Sequence, residues 1–438
     1  MSKTFSPTAP LGPGVHLVEA SAGTGKTHQI GGLYLRLVAE RGLTVEEILC
    51  VTFTRAATAE LRERLRTRLR DASAALRAAR ATGRPMQDEV LQLLARGSHD
   101  DLTEKIRRLD LALMNFDAAS ISTIHAFCQG ALRTFAFEAG LEVERALLSD
   151  TVPLLEEIVD DWVARRLHDL PPATAAKAQE DAKLRRGDLV NLARTLIGAA
   201  SPVVRPDPPP DAASALRVDL ARFVLDELPR RLESTSTLSF DELLRILRGR
   251  LTDGSKEGAA LASALRQRFR AALVDEFQDT DTAQWEIFAT IFGARGEDAP
   301  ILYLIGDPKQ AIYSFRGADV HVYERATNTA DTRATMDVNH RSDASYVPAL
   351  NAVFAGPEVF DLDFVRYVEV KARHEDRIAG LKALTFGWVT RASFDDPAGE
   401  LPIDKATAWI RIPELVADEV VRILHGGVTI SGRPVSRR

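Results

Sequence analysis

The sequence predicts an α/β fold built on a parallel sheet, and three observations support this prediction. Short, continuous apolar runs recur along the chain, as in Ala271–Val274 and Ile301–Ile305. Strands buried on both faces of a helix-covered parallel sheet have this character. Helical apolar spacing follows the runs that begin at Val15 and Ile48. The Gly-rich loop Ala20–Thr27 joins the first run to its helix, which is the setting of a phosphate-binding loop.

The first elements alternate between strand and helix. Val15–Glu19 and Ile48–Phe53 are strand candidates, Ile121–Phe127 is a strand-to-helix passage, and a long Arg-rich helix runs from Ala56 to Arg80. The buried side of that helix is marked by leucines at helical spacing, namely Leu61, Leu65, Leu69 and Leu76. Its arginines alternate with acidic residues that would pair with them, namely Glu60, Glu63 and Asp71. We therefore expect a solvated face here rather than a DNA-binding stripe.

The character of the chain changes between about residues 141 and 235. This stretch is mostly helical in pattern, and Ser201–Pro210 contains five prolines, which predict a loop or linker. The α/β signal then returns, and the chain is less regular after about residue 336, with no obvious terminating element in Gly426–Arg438. We expect an α/β domain from 1–140 and 236–335, an inserted helical domain from 141–235, and the start of a further domain in 336–438.

Composition sets limits on the class of protein. The chain has 438 residues and a net charge of −6, which argues against a protein that coats nucleic acid non-specifically but allows a local basic groove. No apolar run reaches 18 residues, and Met1–Gly14 lacks the features of a secretory signal. Cys50 and Cys128 each lie in an apolar stretch, so we expect them in the core and expect a reducing cytoplasm.

The loop has the residue types that phosphate binding needs. Gly23 and Gly25 let backbone N–H groups turn toward a phosphate, Lys26 would reach the β- and γ-phosphates, and the Thr27 hydroxyl would ligate magnesium. The strict pattern begins with glycine, so Ala20 requires a negative φ. A Gly-rich turn with a chance Gly-Lys-Thr is the alternative. The predicted cofactors are ATP and Mg²⁺, and the predicted loop ligands are Ala20, Ser21, Ala22, Gly23, Thr24, Gly25, Lys26 and Thr27.

Acidic and amide side chains follow two later strands. Asp275 would hold magnesium, and Glu276 would orient and deprotonate the attacking water. Gln310 follows the run at Ile301 and would sense the γ-phosphate through its amide. The alternative for the acidic pair is a solvated turn.

Three clusters combine aromatic rings, hydroxyls and cations as a single-strand track would. They are Thr52–Ala56, Ser122–Phe127 and Ile312–Gly317. Rings stack on bases while hydroxyls and Arg hold phosphates. The alternative is that Phe53, Phe127 and Tyr313 are core residues, and composition alone favours it.

The order of these motifs resembles that of the UvrD/Rep class of superfamily 1 helicases, and the first, third and fifth motifs resemble the RecB family most. The motifs are, in chain order, Glu19–Thr27, Val51–Ala57, Ser122–Phe127, Val274–Thr280, Ile305–Gly317 and Asn339–Ser342. The resemblance implies two RecA-like domains with ATP between them, single-stranded DNA across their tops, and 3′–5′ stepping. The second RecA-like domain would begin in 336–438.

The resemblance also implies roles for individual residues. Arg341 would reach the γ-phosphate, and His340 stands where the family usually has an aromatic that stacks on adenine. For Phe53 and Tyr313 it favours DNA contact over the core. The implied DNA-binding residues are Thr52, Phe53, Arg55, His125, Tyr313, Phe315 and Arg316. The later helicase motifs and the nuclease carboxylates of RecB-like proteins are absent, so we expect a fragment or a truncated product.

Two functions of different class follow. The first is the N-terminal motor portion of an ATP-dependent 3′–5′ DNA helicase or translocase in double-strand-break repair and recombination. Its partners would be single-stranded DNA, duplex ends, and RecC- and RecD-like subunits. The alternative is a truncated module that binds ATP and single-stranded DNA with little or no hydrolysis, because an arginine finger contributes on the order of 10³–10⁵ in rate. A P-loop kinase or transporter ATPase would explain neither Val274–Thr280 nor Asn339–Ser342.

Overall fold

A computed structural model describes most of the chain. The described residues are 3–82, 86–135, 146–148, 150–166, 185–197, 204–235, 237–313, 318–356, 359–387 and 404–435. Contacts divide the chain into two compact units. Unit 1 comprises Met1–Glu19 and Lys26–Thr335, and unit 2 comprises Ala20–Gly25 and Met336–Arg438. The domain limits expected from the sequence stay a prediction.

Unit 1 is built on a seven-stranded, all-parallel sheet, which confirms the predicted fold class. The strands that lie wholly or mainly in unit 1 are β1 Lys3–Thr4, β2 Gly14–Ala20, β3 Ile48–Thr52, β4 Ile121–Thr123, β5 Ala146–Leu147, β6 Thr237–Leu238, β7 Ala271–Val274, β8 Ile301–Gly306 and β9 Thr332–Met336. The large sheet has the order β1-β9-β2-β8-β7-β3-β4, while β5 and β6 form a separate pair. Every residue of β3, β7 and β8 is buried, as continuous apolar runs predict. Because these strands are parallel, the carboxyl ends of β2, β3, β7 and β8 lie at the same edge of the sheet.

Helices connect these strands. Their bounds are α1 Lys26–Ala39, α2 Arg55–Thr82, α3 Glu89–Leu94, α4 His99–Met114, α5 Ile124–Thr134, α6 Val152–Arg166, α7 Arg186–Ile197, α8 Ala212–Ser234, α9 Phe240–Thr252, α10 Lys256–Arg268, α11 Thr282–Phe292 and α12 Val320–Thr329. Helices α6, α7 and α8 share a core of their own around the fully buried Trp162. The described part of the predicted proline loop, 204–210, contains neither helix nor strand.

One hydrophobic core lies between the large sheet and helices α5, α9, α10, α11 and α12. Phe127 packs in it with ring centroids 5.6 Å from Phe269 and 6.3 Å from Phe288, so this ring is a core residue. Cys50 and Cys128 are both fully buried and unpaired by disulfide, as predicted. Burial raises the pKa of each thiol, which keeps both protonated at neutral pH.

The Arg-rich helix α2 differs in part from the predicted solvated face. The four leucines are buried and Arg64 pairs with Glu60, as expected. Arg62 instead donates to the carbonyl oxygens of Ala119 and Ile121, at 3.0 and 3.3 Å. Arg68 donates to Asp88 at 2.6 Å. The predicted solvated face therefore holds for Arg64 but not for Arg62 and Arg68, which are half-buried and bind carbonyl and carboxylate groups of neighbouring segments.

Among the residues described after position 336, unit 2 contains small sheets and two helices. Its elements are β10 Val338–Asp343, α13 Tyr346–Phe354, β11 Lys371–His374, β12 Ile378–Ala379, α14 Lys405–His425, β13 Thr429–Ile430 and β14 Arg433–Pro434. Strands β10 and β11 are parallel, and β12, β13 and β14 are antiparallel. The β13–β14 pair occupies the segment in which the sequence indicated no terminating element. In the part of the chain that the structure describes, no helix is long and apolar enough to cross a membrane.

Candidate nucleotide and nucleic-acid site

The Gly-rich loop has the backbone geometry of a phosphate cradle. Gly23 and Gly25 have φ of 78° and 86°, which a side chain would strain. Ala20 is not among the residues with positive φ, so its methyl group is tolerated as required. The Thr24 hydroxyl donates to the Ser21 carbonyl at 2.7 Å and closes the loop. Helix α1 begins at Lys26, so its N-terminal N–H groups follow the loop directly.

Within unit 2, the loop segment contacts the strand that carries the last motif. The His340 N–H donates to the Gly23 carbonyl at 2.8 Å, and Asn339 Nδ2 donates to the Ala22 carbonyl at 3.2 Å. A Cβ on Gly23 would lie 2.8 Å from the Cβ of Arg341, so only glycine fits this approach. The structure therefore brings His340 and Arg341, two residues singled out from the sequence, against the loop.

One cavity of about 530 Å³ in unit 1 brings most of the remaining candidates together. Its volume lies within the ordinary range of roughly 300–1,000 Å³ for ligand sites. The lining includes the following predicted site residues: Thr27, Thr52, Phe53, Asp275, Glu276, Gln310 and Tyr313. It also includes residues that the sequence analysis did not assign, among them Gln278, Asp279 and Lys309. Side chains from four separate motifs thus face one space.

The acidic pair lies at the carboxyl end of β7. Glu276 has a left-handed backbone, with φ of 51°, and its Oε2 accepts from Lys26 Nζ at 2.6 Å and from Gln278 Nε2 at 2.8 Å. Burial, with the charge of Glu276, raises the pKa of Asp275 to about 6, although Lys26 opposes this shift. A carboxyl group in this environment is stabilised as the anion when a cation approaches.

Sequence reasoning missed Asp279, which lies in the same motif. Its residue surface is only 6% exposed, and its Oδ1 is buried with no hydrogen-bond partner among the residues that the structure describes. Burial and the charge of Glu276 raise the pKa of Asp279 to about 6. The sequence did offer a signal, because Asp279 is a second aspartate four residues after Asp275. The 3-10 turn Phe277–Asp279 places both aspartates in the lining of the cavity.

Gln310 has its amide group fixed by a carboxylate. Its Nε2 donates to Asp307 Oδ2 at 2.7 Å, and because an ionised carboxylate only accepts hydrogen bonds, the amide nitrogen must face Asp307. The amide oxygen is then the atom that Gln310 offers as an acceptor. This geometry suits the orientation of a water molecule better than donation to a phosphate.

The predicted DNA residues differ in their placement. The rings of Phe53 and Tyr313 are half-buried and stacked, with centroids 5.9 Å apart and planes at 17°. Thr52 is buried, and its hydroxyl shares a hydrogen bond of 2.8 Å with that of Thr58. Arg55 is exposed at the start of α2, and His125 is half-buried in α5. The remaining two, Phe315 and Arg316, lie outside the described residues.

Comparisons with known proteins show which family the chain resembles. Residues 5–331 match the family described as UvrD/REP helicase N-terminal domain. RecBCD enzyme subunit RecB of Mycobacterium tuberculosis (strain H37Rv) is 36% identical over 431 residues, which cover 96% of this chain and 37% of that protein. RecB of Escherichia coli (strain K12) is 31% identical over 489 residues, covering 85% of this chain and 40% of that protein. The chain therefore spans well under half the length of these relatives.

Proposed function

Because this chain belongs to the UvrD/REP helicase N-terminal domain family and is homologous to the N-terminal portion of RecB, we propose that it is the N-terminal motor portion of an ATP-dependent 3′–5′ DNA helicase or translocase. Its biological setting would be double-strand-break repair and recombination. The observation that carries the proposal is the single cavity that Thr27, Asp275, Glu276 and Gln310 line, although they come from three motifs far apart in sequence.

Nucleotide binding is assigned to the loop Ala20–Thr27. Its backbone N–H groups would hold the phosphates, and Lys26 would contribute a charge-assisted contact to the β- and γ-phosphates. Lys26 is only 13% exposed and already meets an anionic oxygen of Glu276, so its ammonium group is oriented into the site. His340 and Arg341 contact the same loop, and we assign them to the adenine and the γ-phosphate, respectively.

The oxygen ligands present fit magnesium. Thr27 and Asp275 line the same cavity, and hydroxyl and carboxylate oxygens are the donors that Mg²⁺ prefers beside substrate phosphates. The raised pKa of Asp275 fits as well, because burial leaves this carboxyl without enough compensating positive charge. When bound, the ion would neutralise charge that develops on the phosphates.

Hydrolysis requires a positioned water. Glu276 would accept a proton from this water, and the amide oxygen of Gln310 would orient it. Both side chains are held by neighbours, Glu276 by Gln278 and Gln310 by Asp307, so the two acceptors have defined directions. Arg341 would stabilise the charge of the transferred phosphoryl group.

Single-stranded DNA would bind at the part of the same cavity that Thr52, Phe53 and Tyr313 line. The stacked pair of Phe53 and Tyr313 would offer a platform for bases, and the exposed Arg55, two residues after Phe53, would offer a cation. Thr52 would form part of the cavity wall, because its hydroxyl is already hydrogen-bonded to Thr58. His125, Phe315 and Arg316 complete the proposed track. Partners would be single-stranded DNA, duplex ends, and RecC- and RecD-like subunits, as the RecBCD name of the relatives suggests.

The test is an equilibrium titration with a fluorescent ATP analogue and Mg²⁺. Lys26→Ala removes a charge-assisted contact worth about 1.5–3 kcal/mol, so the Kd should rise roughly 10- to 150-fold. The matched control is Lys256→Ala, because Lys256 is also the first residue of a helix, α10, and is exposed. The control should bind as the unaltered chain does. Equal affinities for all three proteins would contradict the assignment of the loop.

A further inference from the structure

Lys309 is a buried cation that the motor mechanism described above does not use. Its side chain is 8% exposed, and its Nζ lies 2.7 Å from Glu19 Oε1 and 2.7 Å from Asp307 Oδ1. Burial lowers the pKa of Lys309, but the charges of Asp307 and Glu19 outweigh this effect, so the pKa lies above its usual value. The ammonium group is therefore charged at neutral pH and shared between two carboxylates.

Each carboxylate is attached to a different part of the site. Glu19 is the residue directly before the loop that begins at Ala20, on strand β2. Asp307 follows β8, is 2% exposed, and uses its second oxygen, Oδ2, to hold the amide of Gln310. Lys309 thus joins the strand that enters the phosphate loop to the residue that orients Gln310.

The same connection extends to the general base. The Asp307 N–H donates to Gln278 Oε1 at 2.9 Å, and Gln278 Nε2 donates to Glu276 Oε2 at 2.8 Å. A Cβ at Gly306 would lie 2.7 Å from that Gln278 oxygen, so the backbone beside Asp307 must be glycine for the amide to fit. The position of Asp307 therefore affects both acceptors that face the attacking water.

We propose that Lys309 is a positioning residue for ATP hydrolysis, which holds Asp307 and Glu19 together and thereby fixes the direction of Gln310. This inference rests on the proposed ATPase function and adds a residue to it. Without the ammonium group, two carboxylates would face each other in a poorly hydrated space, and one would protonate or turn away. Asp307 would then release the Gln310 amide, while the loop itself and Lys26 would keep their contacts.

The direct test measures chemistry separately from binding. Lys309→Met preserves the length of the side chain and removes its charge. In single-turnover hydrolysis of ATP with Mg²⁺ and single-stranded DNA, its rate constant should fall about 10- to 100-fold, by analogy with the loss caused by removing a group that orients a metal ligand. The Kd of Lys309→Met for ATP should differ from that of the unaltered chain by less than about threefold. Lys309→Arg, which restores the charge, should recover part of the rate.

A control and a second variant keep the test decisive. Lys105→Met removes a similarly buried lysine, 12% exposed, which pairs with Asp101 on α4 away from the cavity, and its rate should equal that of the unaltered chain. Glu19→Gln keeps shape and hydrogen bonding but removes one charge. It should reduce the rate less than Lys309→Met does, and it decides the question if Lys309→Met does not fold.

A double-mutant cycle identifies the route of the effect. If Lys309 acts through Gln310, Lys309→Met should add little to the loss already caused by Gln310→Ala. Independent losses, in which the two fold-reductions of the rate constant multiply, would overturn the proposal. A raised Kd for ATP with an unchanged rate constant would also overturn it, because Lys309 would then contact the nucleotide directly. A chain that binds no ATP at all would refute the proposed function itself, whereas normal hydrolysis by Lys309→Met would refute only the role of Lys309.

Discussion

Removal of the Phe53 ring should weaken single-stranded DNA binding without affecting ATP. Phe53 and Tyr313 stack with centroids 5.9 Å apart and both rings are half-buried, so we expect a base to stack on this pair. Base–aromatic stacking contributes roughly 1–3 kcal/mol per base. Phe53→Ala removes one platform and one support of the other ring, so the Kd should rise roughly 5- to 150-fold.

The assay is a fluorescence anisotropy titration with a labelled oligothymidine at several salt concentrations. Because Phe53 carries no charge, the slope of log Kd against log salt should be the same in the variant and the unaltered chain, while the intercept moves. Phe386→Ala is the control, because Phe386 is a 75% exposed ring remote in sequence from the motifs. An unchanged Kd for Phe53→Ala would return Phe53 to a packing role. A changed salt slope would instead indicate that the substitution disturbed phosphate contacts.

Two further predictions concern chemistry and stability. Glu276→Gln should retain ATP affinity but lose hydrolysis in a single-turnover assay, because the amide keeps the contact with Gln278 and cannot take a proton; lost affinity would contradict a role confined to the base. His16→Gln should reduce the pH dependence of stability, because burial lowers the pKa of His16 despite the opposing Gly12 carbonyl and Asp331. The unfolded chain takes up this proton below about pH 6.5, so the stability gained from a neutral His16 is present above that pH and lost as the pH falls. Thermal unfolding of both proteins between pH 7.5 and 5 should show a Tm difference that changes with pH, and a constant difference would argue against this account.

Local features were predictable from the sequence because they depend on neighbouring residues. The run Ala271–Val274 was placed to the residue, since a strand buried on both faces cannot include the Asp that follows it. The glycines of the phosphate loop have the positive φ that their positions required.

Long-range partners were beyond the sequence pattern. The ion pair between Lys309 and Glu19 joins residues 290 positions apart, and it exists only because β2 and β8 are neighbours in the sheet. The arginines of α2 were expected to pair with acidic residues of the same helix, whereas Arg62 in the fold donates to carbonyl groups near β4. Charge alone could not show which partner an arginine would take.

The left-handed backbone of Glu276 has a consequence for comparing relatives. A φ of 51° at a residue with a side chain costs on the order of 1–3 kcal/mol, which glycine or asparagine would largely avoid. Under the proposed role, a glutamate is retained there only while its carboxylate is needed for hydrolysis. A related chain that no longer hydrolyses ATP would be free to relax this position, and Gly or Asn at the equivalent of Glu276 would then mark a nucleotide-dependent binder rather than a motor.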